Sequence, residues 1–128
     1  MNINFRTIAR GTDSGYQSAS QMVINNSERW IDLWQQHTYN TEPPPPVPQV
    51  DFTSYGVVAV FAGEKPTSGY SVEILSAETS GSQTQEQLAI TVQYRHPKAG
   101  DFVTEALTYP YHIIRIPKID GRVVFKHI

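Results

Sequence analysis

The spacing of apolar residues changes along the chain, and each change marks an element. Ile3–Ala9 and Gln21–Ile24 are short extended candidates, separated by the Gly/Ser-rich stretch GTDSGYQSAS, which has turn chemistry. In SERWIDLWQQH the period becomes helical. Trp30, Ile31 and Trp34 share one face, Leu33 lies at its edge, and Asp32, Gln35 and Gln36 are mostly opposite. Asn25, with Glu28 three residues on, makes a capping-box pattern, and Asn26 and Ser27 are alternative caps. Two Trp on a helix of roughly three turns is a large apolar load that has to dock on another layer, and the sheet that follows is the nearest one.

Pro43–Pro46, Val47 and Pro48 end the helix, because proline has no amide donor and its ring clashes with a helical backbone. The run predicts a stiff polyproline II strap. Its P-x-x-P spacing resembles an SH3 ligand, but no basic residue flanks it and Glu42 is acidic, so a spacer is the better reading. From Val50 the pattern becomes short β runs between turn clusters. Tyr55–Ala62 is apolar on both faces, as a central strand covered on both sides must be. Tyr70–Leu75 and Leu88–Tyr94 alternate. Phe102–Leu107, Tyr111–Ile116 and Val123–Phe125 complete about five or six strands, with Asp120-Gly121 in the Lys118–Arg122 turn reading as a hairpin between the last two. The expected fold is mainly β, an antiparallel sheet or β-sandwich with an Ig-like arrangement among the options, and one N-terminal amphipathic helix packed on it. The expected organisation is a single domain: residues 1–42 as N-terminal strands and helix, 43–48 as the strap and 50–128 as a β-rich body.

Composition narrows the chemistry. The 128 residues include no Cys, which removes disulfides, thiolate metal sites and Cys nucleophiles. A net charge of −2 argues against a nucleic-acid binder, which normally shows a basic patch or stripe. No apolar run reaches the ~20 residues of a membrane span, and MNINFRTIARG lacks the apolar core of a signal peptide. His37, His96, His112 and His127 do not fall at metal-ligand spacing, and Asp13, Glu73, Glu78 and Asp101 show no pattern that selects an acid/base pair. His37 reads as a helix C-terminal residue favoured by the macrodipole, and His112 as a structural strand residue. No catalytic residue, metal site or cofactor is expected, and the chain reads as a non-enzyme.

The informative segments are loops. Gly63 to Tyr70 (GEKPTSGY) joins two strong strands: Pro66 fixes φ, Gly69 supplies φ > 0, and Thr67 and Ser68 are small and polar at the tip. Such a loop reads as a narrow wedge that enters a partner's groove at low entropic cost. In an antiparallel meander, successive connections alternate ends. The His96–Asp101 loop, with Pro97 and Lys98, is therefore expected beside it, and the SGSQTQ loop at the other end. Tyr109 and Tyr111 flank Pro110, which belongs at a strand start or bend, and His112 follows; the isomer of the Tyr109–Pro110 bond is left open.

VVAVFAGEKPTSGYSVEI, HPKAGDFVTEALTYPYHIIRIPK and the upstream W-x-x-x-W helix together resemble the C-terminal domain of the protease complex subunit PrcB, from about Phe52 to Phe125. The helix and strap fit the longer form of such proteins. The resemblance implies a non-catalytic accessory subunit of a bacterial protease complex, without a cofactor, at the periplasm or cell surface. This chain departs from the family's lipoprotein member in having neither signal peptide nor lipidation Cys. Locally, Pro66–Tyr70 is similar to the N-P-T-T-G-Y loop of chagasin-type cysteine-protease inhibitors, which are Ig-like, with Lys65 in place of Asn and Ser68 in place of the second Thr. That similarity implies insertion into a protease cleft.

The expected function is protein–protein interaction with another protein, such as a protease. Its surface comprises Lys65, Pro66, Thr67, Ser68, Gly69, Tyr70, Pro97, Lys98, Tyr109, Pro110, Tyr111 and His112. The alternatives are the inhibitor reading and a small-ligand or glycan-binding domain using Tyr16, Tyr109 and Tyr111. An edge strand such as Arg122–Lys126 offers pairing with a second copy or a partner peptide.

Overall fold

The computed structural model describes residues 1–82, 85–118 and 120–128. The fold is mainly β, with two sheets and one helix: β1 (Arg6–Gly11), β2 (Ser20–Ile24), α1 (Ser27–Thr38), β3 (Tyr55–Phe61), β4 (Ser71–Ser82), β5 (Gln85–Arg95), β6 (Tyr111–Pro117) and β7 (Arg122–His127). One sheet runs β1-β6-β3-β2 and is antiparallel throughout; the other runs β4-β5-β7. The helix follows two strands, so it is not strictly N-terminal.

β3 is central, as its two-faced apolar sequence predicts. Val58 and Val60 face the second sheet and meet Val72, Ile74, Leu88, Ile90 and Val92 in one core. Val57, Ala59 and Phe61 face the opposite way, into a second core closed by Trp30, Leu33 and Trp34 of α1. Every Val of β3 is fully buried. β6 is shared in the same manner, with Ile114 and Ile116 in the first core and Tyr111 and Ile113 in the second.

Asn26 caps α1, its side chain accepting from the Arg29 amide at 2.8 Å. The helix is rotated slightly from the expected face: Leu33 is buried, while Ile31 is 42% exposed. The strap explains the Trp pair. Proline removes donors but leaves carbonyls free. Trp30 Nε1 donates to Pro48 O at 2.8 Å and Trp34 Nε1 to Pro45 O at 3.1 Å. Val47, Val50 and Phe52 pack against the same core, so the run is a docked cover as well as a spacer.

Several expectations change. β1 starts at Arg6 because the residues before it pair elsewhere: Ile3 N bonds Ala77 O, and Thr79 N bonds Met1 O, along the edge of β4. β4 continues past Leu75 because a bulge between Ile74 and Ser76 shifts the alternation, after which Ala77 faces the core. Phe102–Leu107 is not a strand but an exposed, irregular stretch. The β6–β7 hairpin does not form. β6 lies in one sheet and β7 in the other, paired parallel to β5 from Gln87↔Arg122 to Val92↔His127. Asp120-Gly121 marks a bend rather than a hairpin; at Gly121 the backbone comes so close to the Glu86 carbonyl that a Cβ would overlap it. Val123 and Phe125 then pack on the core between the sheets, a burial that a β6–β7 ribbon would forfeit. Part of the expected SGSQTQ turn, Gln83 and Thr84, lies outside the described residues, as does Ile119.

Two buried histidines tie layers together. His112 Nδ1 accepts from Ile74 N at 2.8 Å, which leaves Nε2–H to donate to Thr7 Oγ1, also at 2.8 Å. The imidazole thus satisfies an edge amide of one sheet from the neighbouring sheet. His37 Nδ1 lies 2.7 Å from Ser14 Oγ, which also accepts from the Tyr16 amide. Burial pushes both histidines down to about 4, with the Arg10 charge adding to the effect on His112. His37 is therefore neutral near pH 7, and burial rather than the macrodipole sets its charge. Among the described residues, no buried side-chain polar atom lacks a hydrogen-bond partner.

Trp30→Phe leaves the Pro48 carbonyl without its donor and should cost about 1–3 kcal/mol, whereas Trp30→Ala should cost about 3–5 kcal/mol; urea titrations at neutral pH measure both. The histidines predict acid sensitivity. Because their folded values lie below the unfolded value of 6.5, the unfolded chain binds more protons between about pH 4 and 6.5. Stability present above that window should fall as pH drops through it, with a slope matching uptake of about two protons, reduced to about one by His37→Gln.

Candidate functional site

The two connections singled out in the sequence do share one end of the molecule. Phe61↔Tyr111 closes the β3–β6 ladder there, and Ser71↔Arg95 closes the β4–β5 ladder. Residues 62–70 and 96–110 therefore both cross from one sheet to the other at the same end. The juxtaposition expected from a meander is met by another route, because β3 and β4 belong to different sheets.

The two connections are laced together. Lys65 and Thr108 exchange backbone hydrogen bonds at 2.8 and 3.0 Å. Ser68 N donates to Thr104 O at 3.0 Å, and Thr104 N donates to Ser68 Oγ at 2.7 Å. Thr108 Oγ1 donates to Thr67 O, while Thr67 Oγ1 donates to Ser68 O. Gly69 has φ of 93°, and a Cβ there would lie 3.0 Å from Pro97 Cβ, so the left-handed turn and the close approach both require glycine. Lys98 N bonds Asp101 Oδ2 at 2.8 Å, closing the second turn.

The 63–70 loop is therefore not a projecting finger. Thr67 and Ser68 are half-buried, and their hydroxyls are spent within the loop pair. Pro66, Gly69 and Lys98 are exposed, and Lys65, Tyr70, Pro97 and Tyr109 are half-buried. Lys65 Nζ sits 5.6 Å from the Tyr70 ring centroid, within cation–π range. Tyr109 Oη donates to Glu64 Oε1 at 2.7 Å, and that carboxylate raises the phenol above its usual range.

Pro110, Tyr111 and His112 leave the surface set. All three are buried. Pro110 stands just before β6 with a trans peptide, and its carbonyl accepts from Ala62 N at 2.9 Å. Tyr111 packs edge-on against the His37 ring at 4.3 Å, and His112 stitches the sheets as described above. Tyr16 stacks on Phe61 with centroids 4.0 Å apart. Of the three tyrosines assigned to glycan binding, Tyr111 is buried, whereas Tyr16 and Tyr109 are half-buried.

The structure adds Phe102, Val103 and Leu107 to this end. Phe102 is fully exposed, Leu107 is 57% exposed, and Val103 lies against Gly69. The sequence signal was the absence of strict alternation: Phe102 and Val103 are adjacent apolar residues, followed by adjacent polar Thr104 and Glu105. A long connection without regular structure of its own, held in place by backbone bonds and carrying bare apolar side chains, has the character of a binding loop. Glu64, Lys65, Lys98, Asp101 and Glu105 supply a polar rim of both signs.

Among the described residues, no helix is long and apolar enough to cross a membrane. Searches of curated proteins and of solved structures return no significant match. Residues 57–117, just under half of the chain, running from β3 to the end of β6 and so including both loops of this surface, match the family model described as PrcB C-terminal.

Proposed function

We propose that this protein is a non-catalytic, protein-binding domain resembling an accessory subunit of a bacterial protease complex, and that its partner docks on the end formed by residues 63–70 and 96–109. The reading is carried by the exposed Phe102 and Leu107, held on a laced loop pair inside the segment that matches the PrcB C-terminal family. Fully burying a Phe or Leu side chain is worth about 1.5–3 kcal/mol each. Because the surrounding backbone is already ordered, little of that is lost to fixing the loops on contact. Pro66, Pro97 and the Lys65–Tyr70 pair add a stiff contact area, and the mixed charges around them favour a polar rim over a wholly apolar interface. A partner that meets Thr67 also meets residues 104–108, since the two loops form one surface.

The test compares the tagged wild-type chain with Phe102→Asp/Leu107→Asp in affinity purification from a native bacterial extract, followed by titration of the recovered partner. Recovery of a protease or a component of its assembly by the wild type is expected, with at least 100-fold weaker binding by the double variant and an unchanged melting temperature. Arg29→Ser on the helix should bind normally. Equal retention of the same partner by the double variant would overturn the site assignment, and binding to glycans alone would overturn the protein-binding reading.

A further inference from the structure

At the opposite end of β3 and β6, the helix, strap and sheet leave an open groove of about 640 Å³. Trp30 and Ile31 form its helical wall, Val47 and Val50 its strap wall, and Tyr55 and Arg115 its floor. The Arg115 guanidinium carbon lies over the Tyr55 ring, 4.0 Å from its centroid, a cation–π contact. Arg6 is the register partner of Arg115 across the β1–β6 ladder, so the two side chains share a face. A smaller depression of about 250 Å³ continues past Tyr55 and Arg115 to Arg6. Among the described residues, the ion pair within 4.0 Å is Arg10–Glu73, which leaves neither Arg6 nor Arg115 with a carboxylate partner. Like charges placed directly opposite each other on a sheet are unfavourable unless an anion lies between them.

The rim carries the opposite charge. Asp51 also lines the groove, and hydrogen bonds from Thr53 N and Thr53 Oγ1 hold its carboxyl below the usual range and so ionised. The strap wall is rich in proline and offers few amide donors. A ligand that matches this lining therefore brings an anion for the arginines and apolar groups for the walls, and any N–H donors it carries can reach the exposed Asp51 carboxylate. A fatty acid lacks the donors and an inorganic anion lacks the apolar groups, whereas the end of a polypeptide brings all three. The groove volume lies within the ~300–1,000 Å³ typical of ligand pockets.

We propose that this groove binds the free C-terminal end of a partner polypeptide whose last residues are apolar, its terminal carboxylate received by Arg115 and Arg6. Arg115 takes the carboxylate through parallel N–H bonds, and the last two side chains lie between Ile31, Val47 and Val50. The site stands at the other end of the strands from the laced loops and does not depend on their assignment.

The test uses N-acetylated tetrapeptides varied over Ala, Val, Leu, Ile and Phe in their last two positions, as a mixture in free-acid and in C-terminally amidated form, with decanoate as a separate arm. Trp fluorescence and NMR shifts of the Arg115 and Tyr55 amides report binding. Saturable binding of the free acids is expected, at least 10-fold weaker for the amides and for Arg115→Gln, with a smaller loss for Arg6→Gln. Arg115→Lys keeps the charge but not the paired N–H geometry and should also weaken binding; its melting temperature shows whether it is folded. Phe102→Asp/Leu107→Asp should bind the peptides normally, which separates this site from the loop surface. Absence of binding by the free-acid mixture at millimolar concentration, equal binding of acid and amide, or decanoate binding without peptide binding would each overturn the proposal.

Discussion

The β3–β6 pair, buried on both faces, is the constraint from which the other features follow. A strand with Val58 and Val60 on one side and Val57, Ala59 and Phe61 on the other cannot face water on either. Leaving either side bare would expose several large apolar groups, each worth about 1.5–3 kcal/mol. One side is covered by the second sheet and the other by a Trp-bearing helix. The chain must therefore leave the first sheet to build the second and return to it, and it does both at the Phe61–Tyr111 end. The crowded pair of connections at that end is a consequence of that routing.

The helical cover is of a less common kind. A proline run cannot contribute strand or helix hydrogen bonds, yet its carbonyls remain acceptors, and two indole N–H groups spaced one turn apart find them. The strap thus orients both Trp rings while adding Val47 and Val50 to the core. The helix and strap lie outside residues 57–117, the segment that matches the PrcB C-terminal family. Within that segment alone, Val57, Ala59, Phe61, Tyr111 and Ile113 have no cover. In this chain the cover is supplied by what precedes the segment, and the groove with Arg115 lies between that cover and the sheet.

Much of this was legible in the residues. The helix with its paired Trp, the strap, the central strand, the alternation of β5 and the family resemblance were all read from local pattern, since side-chain periodicity and proline chemistry act over a few neighbours. The two loops were also correctly placed side by side. Beside the strand pairings, several readings that changed concerned exposure. Tyr111 and His112 read in sequence as part of the binding surface, His112 also as a structural strand residue, but His37 of the helix packs on Tyr111 and the Ile74 amide bonds His112. Phe102–Leu107 looks like a strand until its missing alternation is weighed, and nothing in its own sequence says that Thr104 and Thr108 are bonded to the other loop.

The sequence by itself therefore determined which segments are stiff, which are two-faced, and where the backbone must turn, because each depends on torsional preferences and apolar spacing within a few residues. Only the tertiary structure decided partners. It set β7 parallel to β5 instead of against β6, drew the first residues onto β4, and laid Arg6 opposite Arg115. Strand pairing is settled by which long-range arrangement buries the most apolar surface while satisfying edge amides, and that competition involves residues as far apart in the chain as Arg6 and Arg115.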